Sequence, residues 1–219
     1  MNSARQFLSS YGRRKSRVLS QHQKYLLEKV LPKYLYSPDT YHSSPIINLE
    51  IGFGNGEHLL HRAMENPEQI FIGCEVYLNG IISLLQKIEK HNIKNIRFFQ
   101  EDVRLLLEKL PKNSLTNTYI LFPDPWPKKR HHKRRLINQE TLTMLERVIA
   151  PGGRLIIATD WENYLEWILV NISAHGGFTF NANSADDWLN TPPNHIATKY
   201  EQKAVAEGRA PVFMEFRTS

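Results

Sequence analysis

From position 45 onward the hydrophobic pattern switches back and forth between two periods. Apolar strand candidates occupy residues 45–51, 69–75, 95–100, 116–122 and 153–159. Between them, apolar positions return every three or four residues across 57–66, 78–91, 103–110, 136–150 and 161–174. Short apolar runs suit strands buried on both faces, and the 3.6-residue period suits amphipathic helices. Their alternation predicts an α/β domain with a doubly wound, mostly parallel sheet and helices on both faces. Pro151-Gly152-Gly153 reads as a stop and turn ahead of the fifth strand. Beyond residue 177 the pattern yields two short strands and an irregular stretch around Pro192-Pro193. Residues 1–44 form a basic arm, partly helical or disordered, in front of a domain spanning 45–219.

In an open parallel sheet, ligands settle outside the carboxyl ends of the strands, where strand order reverses. The predicted strands end beside Glu50, Glu75, Asp102, Asp124 and Asp160. One polar residue after a strand is ordinary. Five acids delivered to one edge predict a site.

At 219 residues the chain suits one domain with a sizeable core, as a monomer or a homodimer. Its net charge of +6 is unevenly placed. Residues 1–44 hold eight Lys/Arg against two acids, and the remainder is balanced at twenty against twenty. Within that remainder, Lys128 to Arg135 alone carries six cations, so the rest of the body is acidic. Two basic zones on an acidic body form the electrostatic footprint expected for a polyanion partner. The arm contains Arg and Ser and no acid before Glu28, a composition it shares with mitochondrial transit peptides. A lone cysteine, Cys74, excludes an internal disulfide and fits a reducing, cytoplasmic setting. Within Ile70-Phe71-Ile72-Gly73-Cys74 it reads as a small buried residue rather than a nucleophile. No apolar stretch approaches membrane-spanning length, so no membrane partner is expected.

Asn48-Leu49-Glu50-Ile51-Gly52-Phe53-Gly54-Asn55-Gly56-Glu57 reads as a strand, a glycine turn and a helix start. The dinucleotide fingerprint is Gly-x-Gly-x-x-Gly, but here Gly52, Gly54 and Gly56 follow a different spacing and Glu57 stands where its third glycine belongs. An acid at a helix N-terminus competes with a pyrophosphate for the positive dipole, which disfavours NAD and FAD. A cationic nucleoside such as S-adenosyl-L-methionine fits better; a plain tight turn is the alternative. Glu75, nineteen residues after Gly56, can accept the ribose hydroxyls of an adenosine. Asp102 can take the adenine amino group or cap the helix that follows.

Pro123-Asp124-Pro125-Trp126-Pro127 joins the fourth strand to the cationic run and places Asp124 and Trp126 at its mouth. Six like charges repel unless a polyanion neutralises them, and cations oppose the dipole at a helix start. Trp126 beside them can serve as a base-stacking platform. His131 and His132 are adjacent and point in different directions on a helix, and no partner motif accompanies them, so no metal is expected.

Taken together, these residues resemble the bacterial tRNA guanine-N7 methyltransferase family. The resemblance rests on Leu49 through Gly56, on Pro123-Asp124-Pro125-Trp126-Pro127-Lys128-Lys129-Arg130-His131, on Ala158-Thr159-Asp160, and on Thr198-Lys199-Tyr200-Glu201 followed by Gly208. Ser10-Tyr11-Gly12-Arg13-Arg14 with Arg17 is similar to the family's N-terminal arm, which weighs against a transit peptide. The resemblance implies a Rossmann-like methyltransferase sheet and a guanine of the tRNA variable loop methylated on N7 by S-adenosyl-L-methionine. It implies that Glu50, Glu75, Asp102 and Asp124 contact the cofactor, with Asp124 also catalytic. It further implies that Lys128, Asp160, Thr198, Lys199, Tyr200 and Glu201 contact the substrate, and that Arg130, His131, His132, Lys133, Arg134 and Arg135 touch RNA.

Two other readings compete. Asp-Pro-Trp is similar to the motif of methyltransferases acting on amino groups, although Pro127 and the attached cations depart from it. A non-catalytic RNA-binding module on a decayed scaffold is the other, and the intact acids at the five strand ends argue against it.

Overall fold

A computed structural model describes residues 18–37, 46–192 and 195–218. Five strands, β1 (Ile47–Ile51), β2 (Ile70–Cys74), β3 (Ile96–Phe99), β4 (Leu115–Leu121) and β5 (Ile149–Thr159), run parallel. Two more, β6 (Phe178–Phe180) and β7 (Val212–Thr218), complete a sheet of order β3-β2-β1-β4-β5-β7-β6. β7 is antiparallel to both of its neighbours. Helix α1 (Gln21–Tyr25) precedes the sheet, and α2 (Glu57–Glu65), α3 (Leu78–His91), α4 (Val103–Lys109), α5 (Gln139–Val148) and α6 (Glu162–His175) connect the strands. α7 (Asp186–Leu189) and α8 (Lys199–Ala206) lie between β6 and β7. The chain order reverses between β1 and β4, and a crevice opens above that junction.

Burial explains why the strands are rich in apolar residues: every residue of β1 and β2 is buried. Successive side chains of β2 enter opposite layers. Ile70, Ile72 and Cys74 pack with α4, α5 and α6. Phe71 packs with α2, α3 and Leu26, Val30 and Leu31 of the lead-in. Each fully buried Leu or Ile contributes roughly 1.5–3 kcal/mol.

The described part of the lead-in is docked on the β3 side. Ser20 and Gln23 form a capping box that starts α1. The Tyr34 hydroxyl donates to the Ile93 carbonyl at 3.0 Å, and Leu35 bridges to Phe98. Ser10-Tyr11-Gly12-Arg13-Arg14 and Arg17 lie outside the described residues.

The expected turn at Pro151-Gly152-Gly153 is instead an irregularity inside β5. Pairing already begins at Ile149 opposite Leu115 and resumes with a shifted register at Asn117 and Arg154. Gly152, at φ +71°, takes the left-handed backbone this bulge requires. At its other end α5 starts later than the apolar pattern implied, because the Asn138 side chain accepts from the Thr141 N–H and caps it there. Among the described residues, no helix is long and apolar enough to cross a membrane.

Candidate active site

The crevice is a cleft of about 690 Å³ lined from four consecutive strand ends. Gly52 and Gly54 follow β1, Glu75 and Tyr77 follow β2, Asp102 and Arg104 follow β3, and Asp124 and Trp126 follow β4. Tyr200, on α8, closes it from above the glycine turn.

The turn is held from several sides. Gly54 has φ +55°, and its N–H donates to Glu75 Oε2 at 2.9 Å. Lys87 of α3 donates to the Asn55 carbonyl at 2.7 Å and stands 3.5 Å from Glu57. That cation offsets the acid at the start of α2.

Glu75 is the most constrained acid of the cleft. Its Oε1 accepts from the N–H groups of Val76 and Tyr77 at 2.7 and 2.9 Å, while Oε2 accepts from Gly54. A carboxylate offers about four lone-pair sites, so one site on Oε2 is left for a ligand hydroxyl. Burial pushes its pKa up, the three backbone bonds pull it down, and nearby Asp124 adds a smaller upward push.

Asp124 stands at the open mouth of the cleft, exposed to solvent yet crowded enough by the walls that desolvation raises its pKa. Its loop is bounded by two non-glycine residues in the left-handed region, Phe122 at φ 52° and Trp126 at φ 43°. Each costs of order 1–3 kcal/mol, a cost that persists at a site only when the surroundings fix it. The guanidinium of Arg134 lies 5.0 Å from the Trp126 ring, and the His131 ring meets it edge-on at 5.9 Å. His131 is held below the usual imidazole range, first by desolvation and then by Arg134, Arg130, Lys128 and Lys133. Lys128, Lys129, Arg130 and Lys133 are exposed along the 3₁₀ turn that starts after Lys128.

Several expected contacts are redirected. Glu50 does not line the cleft; it is 3% exposed and its Oε2 lies 2.7 Å from His58 Nδ1. Asp102 does cap α4 through the Arg104 N–H at 3.0 Å, but Arg104 also grips both its oxygens, at 2.8 and 2.5 Å. Asp160 faces a separate hollow of about 590 Å³ beside Trp161, and Arg209 holds it at 2.6 Å. Thr198 caps α8 by accepting from the Glu201 N–H at 3.2 Å. Glu201 is buried with its Oε2 2.5 Å from His195 Nε2. Lys199, at the start of α8, is exposed.

Two members of the cationic run need correction. Arg135, expected to touch RNA, is 2% exposed and packs into α6. His132 lays its ring against Trp167, 5.5 Å away, and its Nε2 is buried. Both side chains turn inward because Tyr164 and Trp167 offer aromatic surface there.

Sequence reasoning missed Tyr77, Arg104, His58, His195 and Arg209. Thr198-x-x-Glu201 carried a legible signal, since Ser/Thr followed three residues later by Glu marks a helix start. The others are partners from distant segments. Among the described residues, no cluster of three His, Cys, Asp or Glu side chains gathers to hold a metal.

The chain as a whole is similar to known proteins. A family described as "Putative methyltransferase" matches residues 44–214. Over 216 residues the chain is 40% identical to a tRNA (guanine-N(7)-)-methyltransferase of Agrobacterium fabrum, covering 94% of this chain and 93% of that protein. It is 45% identical over 206 residues to a bifunctional methyltransferase of Rickettsia typhi, covering 94% of this chain and 39% of that longer protein. A 16S rRNA methyltransferase of solved structure has the same fold, with TM-score 0.61 at 14% identity over 83% of this chain and 91% of that one.

Proposed function

The chain belongs to the tRNA (guanine-N(7)-)-methyltransferase family, and from that premise we propose that it methylates N7 of a guanine in the tRNA variable loop, giving 7-methylguanosine, with S-adenosyl-L-methionine as donor. One observation carries this reading: a cleft rich in acids opens directly beside an exposed cationic turn, with Asp124 and Trp126 at the junction.

The residues fit that cofactor. Gly52, Gly54 and Tyr200 would bracket its methionine part, Glu75 would take a ribose hydroxyl on the remaining Oε2 site, and Asp124 would face its cationic end. The carboxylates answer a ligand with two positive charges, and no phosphate-binding glycine pattern competes. When bound, the group supplies an electrophilic methyl on sulfur.

The chain's own task is then mostly positional. Guanine N7 presents an in-plane lone pair, so no side chain has to remove a proton before attack. Holding N7 in line is an effect worth about 7–11 kcal/mol. Asp124 stabilises the positive charge as it comes to rest on the purine, as an electrostatic partner rather than a general base. Trp126 offers a face on which an extruded base can stack, worth about 1–3 kcal/mol. Lys128, Lys129, Arg130 and Lys133 meet the phosphates. A-form RNA hides N7 in a deep groove, which directs the reaction to a loop.

Incubation with labelled S-adenosyl-L-methionine and an unmodified tRNA transcript, followed by nucleoside mass spectrometry, tests the proposal. 7-Methylguanosine, lost when the variable-loop guanine is replaced, is the expected product. A methylated exocyclic amine would transfer the function to amino-group chemistry instead.

A further inference from the structure

We propose that Arg135 is a positioning residue that fixes the Asp124–Trp126 loop for methyl transfer and makes no contact with RNA. The inference rests on the methyl transfer proposed above. Arg135 closes the cationic run in sequence, yet it is 2% exposed. Its Nε donates to the Pro125 carbonyl at 2.9 Å, and Nη2 donates to Asn163 Oδ1 at 2.6 Å. Its guanidinium lies 5.0 Å from the ring of Tyr164 and 5.0 Å from that of Trp167, both on α6. Tyr164 is wholly buried, and Trp167 is fixed by donating to the Ile137 carbonyl at 2.7 Å. The guanidinium therefore sits in a rigid aromatic box and reaches out to one carbonyl, that of the residue between Asp124 and Trp126.

The loop needs such an external tie. Pro123, Pro125 and Pro127 have no N–H to donate, so the segment must be anchored through its acceptors and side chains. Phe122 and Trp126 hold left-handed backbone that would relax if the loop were released. The tie is also an odd place for a charge: burial lowers the Arg135 pKa, its hydrogen-bond acceptors are neutral, and Nη1 is buried with no partner among the described residues. A cation serving RNA would stand in water like Arg130. A planar fork with two donors and two stacking faces is what the position uses, and lysine cannot supply it.

The test compares wild type, Arg135→Lys, Arg135→Gln and Asn163→Ala by steady-state kinetics on tRNA and by salt-dependent tRNA binding. A parallel measurement is fluorine NMR of 5-fluorotryptophan-labelled protein, with the Trp126 line assigned from Trp126→Phe. Arg135→Lys keeps the charge and should still lose turnover by about 100-fold, the scale of an ångström-sized misplacement. Its KM for tRNA and its salt slope should match wild type, and its Trp126 line should shift or split. Asn163 is exposed, so Asn163→Ala removes one bond without threatening the fold and should lower turnover in the same direction by a smaller factor. It carries the test alone if the Arg135 variants fail to fold. Wild-type turnover in Arg135→Lys, or a raised tRNA KM with a flattened salt slope in Arg135→Gln, would overturn the proposal. If wild type methylates no tRNA, the proposed function fails by itself. The Trp126 line still decides Arg135: displacement supports the tie, and an unmoved line refutes it.

Discussion

The ring of Tyr200 lies over Gly54 so closely that a Cβ at Gly54 would stand 3.0 Å from Tyr200 Cε2. α8 thereby seals the glycine turn, and the seal depends on a position without a side chain. Gly54→Ala adds a methyl under the ring and also forces alanine to φ +55°. The backbone cost alone is of order 1–3 kcal/mol. Affinity for S-adenosylhomocysteine, measured calorimetrically, should fall by about tenfold or more, since 1.4 kcal/mol is a factor of ten. Unchanged affinity would mean that Tyr200 and the turn do not share a ligand.

The Glu50–His58 pair makes a different claim. Glu50 sits in the middle of the sheet, and the pair lies beneath the ring of Tyr119, 4.9 Å from His58. Removing one partner of a buried pair leaves the other uncompensated and costs about 3–5 kcal/mol. His58→Ala should therefore lower the unfolding free energy obtained from urea titration by an amount in that range. Glu50→Gln keeps a hydrogen-bonding group and should cost less, with S-adenosylhomocysteine affinity changed by no more than about threefold, less than the 1.4 kcal/mol that makes a factor of ten. A large affinity loss at preserved stability would restore Glu50 as a direct ligand contact.

The sequence made the strand–helix alternation legible because strands buried on both faces are predominantly apolar, as β2 is throughout and β1 is apart from Asn48 and Glu50. It also located the cleft, because the residues after β1 to β4 have to meet at the switch point whatever their side chains do. It did not reveal where those side chains turn. Glu50 and Asp102 have the right type and place, but each is engaged by a partner, His58 or Arg104, whose spacing announces nothing. Arg135 is the sharpest case. In sequence it is one more cation of a run; in space the aromatic face of α6, some thirty residues on, draws it inside. The bulge at Pro151-Gly152-Gly153 was hidden for a related reason, since a turn signal does not say whether the partner strand follows it.

The exposed cations should separate RNA affinity from cofactor affinity. Lys129 and Arg130 stand in solvent and do not line the cleft. Replacing both with Gln should flatten the plot of log binding constant against log salt by about 0.7–0.9 for each phosphate that the variant no longer neutralises. S-adenosylhomocysteine binding should stay at the wild-type value. An unchanged slope would remove this turn from the tRNA interface.

Desolvation by the cleft walls raises the Asp124 pKa above the ordinary value although the residue is exposed, so the folded chain holds this proton more tightly than the unfolded chain does. The resulting stabilisation is present below the unfolded-state pKa of about 4 and is lost as pH rises through the higher folded-state value. At neutral pH the folded protein thus carries a carboxylate it would be more stable without, and that carboxylate also presses the Glu75 pKa upward. Asp124→Asn should consequently melt above wild type at pH 7, with the difference closing as pH is lowered toward 4. The same variant should lose turnover by roughly 100-fold, the usual scale for deleting one electrostatic contact to a developing charge. Thermal melts across that pH range, paired with single-turnover assays, check both halves. A variant that melts lower at pH 7 would mean Asp124 holds the loop together, and intact turnover would mean its charge plays no part in the transfer.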